Sequence, residues 1–170
     1  MGHELTHLDA KGRARMVNVG EKAITHRKSI ARCEVAMSPQ TLSRITSDSV
    51  PKGDVLATAR IAGIQAAKRT DQWIPLAHPL PIDSVEVHLS PDEAASVVRI
   101  EARVETHWKT GVEMEALVAA SAAGLTIYDM CKAIDREMSV QNLRLVLKTG
   151  GKSGDFVRAG ESPPTDEGGE

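Results

Sequence analysis

From Ala116 to Tyr128 the chain runs thirteen residues without a charge, mostly Ala, Ser, Val, Leu and Ile. That is too short to cross a bilayer, which takes about 20 apolar residues, and a helix apolar on every side has to be packed on several sides. The segment is therefore expected to form a buried central helix. Its small residues, Ala119, Ala120, Ser121, Ala122, Ala123 and Gly124, let neighbouring backbones come close. Charges stand only at the ends. Glu113 and Glu115 suit the positive end of the helix dipole and Lys132 suits the negative end, whereas Asp129 opposes it. Asp129 and Lys132 are three residues apart on one helical face, which makes them either a surface ion pair or a working acid–ammonium pair.

Four segments alternate as strands do. Ala31, Cys33, Val35 and Met37 face one way against Arg32 and Glu34; Val85, Val87 and Leu89 alternate with Glu86 and His88. Val98, Ile100, Ala102 and Val104 alternate with Arg99, Glu101, Arg103 and Glu105, and Leu143, Leu145 and Leu147 form the fourth. Pro91-Asp92-Glu93 reads as the hairpin connection between the second and third. Ser38-Pro39 opens a short helix to about Ile45, and Asp54 caps a second running to Lys68-Arg69. The order strand, helices, two strands, helix, strand predicts an α+β, ferredoxin-like domain: a four-stranded antiparallel sheet with helices on one face. Its other face would carry mixed charges. Residues 1–29 read as an N-terminal arm, 30–158 as the domain, 74–82 as a proline-stiffened loop, and 159–170 as a disordered Gly, Pro and acid tail.

A net charge of −2 and only four aromatic residues argue against a nucleic-acid binder. Two cysteines outside any motif and an N-terminus lacking an apolar signal segment point to a reduced, cytoplasmic protein without a membrane anchor. Lys148-Thr149-Gly150-Gly151-Lys152-Ser153 fails as a P-loop, because Val146 stands where the first glycine is needed. Mobile glycine amides beside two lysines can still hold phosphate, and an exposed turn is the equal alternative. No Cys-x-x-Cys occurs, and no metal site is expected. His78 sits in the stiff loop, placed for a hydrogen bond to a ligand or merely tolerated there. Lys52, Lys68 and Lys109 stand at structural corners and, with Arg27, Arg69, Lys148 and Lys152, would suit a small polyanion.

Four runs carry a resemblance: Ala59–Lys68, Ile74–Leu80, Lys109–Leu117 and Thr126–Ala133. Together they resemble the MoaC family, the cyclic pyranopterin monophosphate synthases, over about residues 5 to 157. The resemblance implies a lyase of molybdenum cofactor biosynthesis that rearranges 3′,8-cyclo-7,8-dihydro-GTP to cyclic pyranopterin monophosphate with loss of pyrophosphate, without metal or organic cofactor. It also implies a homohexamer, a trimer of dimers, with the site where two subunits meet. By position it makes Asp129, Lys132 and Lys52 catalytic. Leu76, Ala77, His78, Met114 and Glu115 fall on substrate-binding positions, with Arg27, Lys68, Glu113 and Lys148 charged around them. A partly desolvated lysine beside a carboxylate would then exchange protons near neutrality. Two positions depart from the family pattern: Asn18, commonly Asp, and Ala77, commonly Cys. The competing class is a non-catalytic nucleotide-binding oligomer, which needs cations but no acid–ammonium pair. A phosphohydrolase would want clustered carboxylates for Mg²⁺.

Overall fold

The computed structural model describes residues 11–162. One open antiparallel sheet holds β1 (Thr25–Ala36), β2 (Ser84–Asp92), β3 (Val97–Trp108), β4 (Ser139–Thr149) and β5 (Phe156–Val157), in the order β2-β3-β1-β4-β5. The helices are α1 (Pro39–Thr46), α2 (Val55–Ala67), α3 (Thr70–Trp73) and α4 (Glu113–Cys131). The sheet thus has five strands rather than the expected four. The fifth is two residues long, pairing Val157 with Leu147 and Phe156 with Lys148, and two residues are too few to show a period-2 pattern. β1 begins at Thr25, so the sheet extends into the segment read as an arm. Residues 1–10 of that arm and 163–170 of the tail lie outside the described residues.

Local signals set the helix starts. The Ser38 hydroxyl accepts from Thr41 N at 3.2 Å with Pro39 at the first helical position, and the Asp54 carboxylate accepts from Ala57 N at 2.9 Å. Each satisfies a backbone donor that the helix itself leaves free. Ala31, Cys33 and Val35 of β1 and Val98, Ile100, Ala102 and Val104 of β3 are buried against α4, and the Cys33 thiol donates to Ala120 O at 3.3 Å. Burial pushes that thiol up to about 12, so it stays protonated.

Two register details differ from the sequence pattern. The β2–β3 turn falls at residues 93–96, with Pro91 and Asp92 still paired in β2 and Ser96 at φ 53°. In β4 the Leu alternation breaks down: Leu143 is exposed, whereas Val146 is fully buried. The β1–β4 register shifts twice, between Ile30 and Ala31 and between Arg32 and Glu34, with Asn142 at φ 56° in the second irregularity. Each extra residue in a strand moves the next side chain to the other face.

The charged outer face is a lattice of ion pairs. Arg32 meets Glu101 and Glu161 at 2.6 Å each, Arg99 meets Glu34 at 3.0 Å and Asp92 at 2.9 Å, and Arg103 meets Glu101 at 2.7 Å. Glu161 also pairs with Arg144, fastening residues 159–162 back onto the sheet.

Small residues let α2 approach α4. A Cβ at Gly63 would lie 2.9 Å from the Ala119 carbonyl oxygen and 3.1 Å from Val87 Cγ2. Glycine to alanine in a helix interior ordinarily stabilises by roughly 0.5–1 kcal/mol. Gly63→Ala should do the opposite and destabilise by about 1–3 kcal/mol, the cost of overpacking a close contact. Urea denaturation of the two proteins reads the sign; a gain in stability would mean that α2 and α4 are not this close.

Candidate active site

The residues expected to form the site gather at two places. At the C-terminal end of α4, Asp129 accepts from Lys132 Nζ at 2.7 Å and from Lys52 Nζ at 3.0 Å. Lys52 also donates to the Asp129 carbonyl at 2.8 Å, so its ammonium serves the carboxylate and a free helix-end carbonyl together. The loop before α2 brings Lys52 there, seventy-seven residues away in sequence. All three side chains are about half exposed. Their mutual attraction moves the titrations apart: hydrogen bonds from Lys132 and then Lys52 hold Asp129 below the usual carboxylate range, and Asp129 holds Lys132 above the usual lysine range. This corrects the expectation of a lysine tuned toward neutrality. In the single chain the cluster lacks the burial that such tuning requires.

The second group surrounds the N-terminal end of α4. Leu76, Ala77 and His78 from the loop before β2, with Glu113, Met114 and Glu115 from the helix, line a cavity of about 270 Å³. Val17, Val19 and Lys22 also line it, and His78 Nε2 lies 2.8 Å from the Val17 carbonyl oxygen, joining the loop to the N-terminal segment. The Val17 carbonyl can only accept, so Nε2 donates there. Glu113 faces Lys148 Nζ at 3.6 Å, and Lys148 pairs across the strands with Ser29, two residues from Arg27. Lys68, exposed at the C-terminal end of α2, extends toward solvent without joining either cluster through a described hydrogen bond or ion pair.

Glu115 stands apart. It is 4% exposed, and burial, with Glu113 and Asp71 adding to it, raises its carboxyl to about 7 against the counter-effect of its own backbone N–H. Nothing in its spacing distinguishes it from Glu113. Both departures from the family pattern have local readings. The Asn18 side-chain oxygen accepts from Gly20 N at 2.8 Å, a turn bond that asparagine makes as well as aspartate. Ala77 contributes only a methyl to the cavity wall. Asp135 carries no sequence signal of its role: it accepts from Ser38 N at 2.9 Å and the Thr41 hydroxyl at 3.0 Å, tying the turn after α4 to α1.

No group of three or more His, Cys, Asp or Glu among the described residues could hold a metal ion. His3-Glu4-Leu5-Thr6-His7 does have the His-Glu-x-x-His spacing of zinc proteases, contrary to the expectation that no metal-ligand pattern occurs. It falls outside the described residues.

A carboxylate gripped by two ammoniums, and a second cluster of cations around a cavity holding a near-neutral carboxyl, are the parts of an acid–base enzyme for an anionic small molecule. The MoaC family profile matches residues 16–151. The chain is 63% identical over 154 residues to a cyclic pyranopterin monophosphate synthase of Roseiflexus sp. (strain RS-1), covering 91% of this chain and 98% of the relative. It is 56% identical to the proteins of that name from Chloroflexus aurantiacus, over 92% of this chain and 96% of the relative, and from Pelotomaculum thermopropionicum, over 95% of each. The chain belongs to the MoaC family.

Glu115 gives a pH dependence whose sign can be worked out. A carboxyl raised from 4.5 to about 7 binds its proton more tightly in the folded state. Its neutral form therefore contributes fully below about pH 4.5, and the contribution is lost as pH rises to about 7. Glu115→Gln removes that dependence, so the variant should gain on the wild type by roughly 2–3 kcal/mol between pH 5 and pH 8. Denaturant titrations at the two pH values measure it; parallel behaviour of the two proteins would mean that Glu115 is ionised when folded.

Proposed function

We propose that this protein is a cyclic pyranopterin monophosphate synthase that rearranges 3′,8-cyclo-7,8-dihydro-GTP to the cyclic pyranopterin with release of pyrophosphate, in a site completed by a second subunit. Membership of the MoaC family carries the lyase activity and its place in molybdenum cofactor biosynthesis. The shared site rests on one observation. α4 rises about 1.5 Å per residue, so Glu113 and Asp129 lie roughly 24 Å apart along its axis. No single nucleotide-sized substrate meets both clusters of one chain. A neighbouring chain that brings its Arg27, Lys148 and cavity residues up to Asp129 reunites them.

Exposed apolar side chains support such a contact. Ile61, Trp73 and Leu125 are 57, 52 and 53% exposed, and Trp73 and Leu125 border a groove of about 460 Å³ that reaches Asp129. The strand order of β1 to β4, all antiparallel with helices packed against one face, suits the ferredoxin-like domain of a hexameric family. Within the assembled site Asp129, Lys132 and Lys52 would move protons. Leu76, Ala77, His78, Met114 and Glu115 would shape the base pocket, with Glu113 orienting Lys148. Arg27, Lys68 and Lys148 would hold the triphosphate and neutralise the departing pyrophosphate. Two free, buried thiols suit a reducing cytoplasm, and no helix of the described residues is long and apolar enough to cross a membrane.

Asp129→Asn preserves size and should lower turnover by roughly 10²–10⁴ while the protein still assembles. Near-normal turnover would remove Asp129 from the proton-transfer step; absence of turnover in the wild type would favour the nucleotide-binding reading. Subunit mixing tests the shared site. Co-expressing Asp129→Asn with Lys148→Met should restore about a quarter of the sites, those that draw an intact half from each chain. Mixtures no more active than the separate variants would place each site within one chain.

A further inference from the structure

Arg27 is held in an unusual way for an arginine. It is 8% exposed in β1, and among the described residues its Nη atoms donate only to two neutral carbonyls, Gly150 O and Lys109 O, each at 3.4 Å. Its Nε is buried without a partner, as is the Ser29 hydroxyl two residues along the same strand face. A buried guanidinium normally has a carboxylate beside it. Here no carboxylate is among its described partners, so its charge is left uncompensated and would favour an arriving anion.

What encloses Arg27 is the turn after β4. Gly150 and Gly151 both adopt left-handed backbone conformations, φ 83° and 84°. Their reasons for being glycine differ. A Cβ at Gly150 would strike the His26 backbone carbonyl, so that residue shapes the turn. A Cβ at Gly151 would overlap Arg27 Nη1 and lie 2.6 Å from Cζ and 3.0 Å from Nη2, so its three nearest atoms all belong to the guanidinium. Arg27 is buried and cannot swing clear as a surface side chain would.

We propose that Gly151 is a positioning residue for anion binding: its missing side chain lets the turn close over Arg27 and fixes the guanidinium for the phosphate groups of the substrate. The inference rests on the reading of Arg27 as a triphosphate contact, and it assigns a role to a glycine that touches no substrate itself. Gly160 provides the control, since it has the same backbone conformation, φ 80°, and a methyl added there would have nothing within 4 Å. Any cost common to Gly151→Ala and Gly160→Ala belongs to the backbone; the remainder belongs to Arg27.

The test compares full-length Gly151→Ala, Gly160→Ala, Arg27→Ala and the double variant Gly151→Ala/Arg27→Ala by kcat, KM for the cyclised GTP substrate, and thermal melting. Gly151→Ala should raise KM about 10-fold or more over Gly160→Ala with kcat within about threefold, the split expected when ground-state binding is lost. The double variant should have the KM of Arg27→Ala alone, because the glycine acts only through the arginine. It should also melt above Gly151→Ala, because removing the guanidinium removes the collision. A Gly151→Ala KM equal to that of Gly160→Ala, while Arg27→Ala raises KM, would overturn the positioning role and leave Arg27 as a contact. An unchanged KM in Arg27→Ala would overturn the contact itself and the inference with it. Should Gly151→Ala fold too poorly for kinetics, a double variant that is no more stable than the single one would also overturn it.

Discussion

The close approach of α4 to everything around it is the constraint on which the rest depends. A Cβ added at Gly63 would meet the Ala119 carbonyl at 2.9 Å, and one at Gly124 would meet Val140 Cγ1 at 2.9 Å. The helix is thus fitted on one side to α2 and on another to β4, with Ala116, Ala119, Ala120 and Ala123 fully buried between. Packing at that distance gains dispersion contacts that larger side chains would forfeit by holding the layers apart. It also fixes α4 as a rigid spacer. The groups at its two ends cannot shift toward one another, and the charges that the apolar middle excludes are delivered to those ends.

Much of this was legible in the residues. Ser38-Pro39 and Asp54 are local signals, and each cap forms where its chemistry requires. The period-2 patterns of β1 and β3 survive because an unbroken ladder of twelve pairs, Thr25–Trp108 to Ala36–Val97, holds them in register. The β4 pattern does not survive, because its irregularities come from pairing with β1 and leave no mark on a string of Leu and polar residues. Asn142 in the left-handed region was the available signal, since asparagine is among the few residues that tolerate it.

The candidate site's members could be named from sequence, but their arrangement could not. Asp129 and Lys132 announce themselves by spacing. Lys52 joins them through the tertiary fold; its place at a helix start marks it only as an anion contact, and the resemblance to a family is what nominates it as catalytic. Arg27 shows the limit more sharply. As one of twenty-one basic residues it looks ordinary. Its significance is that it is buried with no carboxylate among its described partners, and that it donates to a glycine turn 123 positions later.

The acid–ammonium cluster then poses a physical question that the geometry answers in part. Two ammoniums depress Asp129, so in an isolated chain it is a poor proton acceptor at neutral pH. Covering the cluster with another subunit, as proposed, would penalise the charges in it, raising Asp129 and lowering Lys132. An arriving polyphosphate would oppose this for Lys132, since negative charge stabilises ammonium, but would repel the carboxylate and raise Asp129 further. Both events would therefore raise Asp129 toward neutrality, while their effects on Lys132 would cancel in part. The carboxylate is thus the member of the cluster whose proton affinity a covering subunit and a bound polyphosphate would both raise, which suits the proton-transfer role proposed for the cluster.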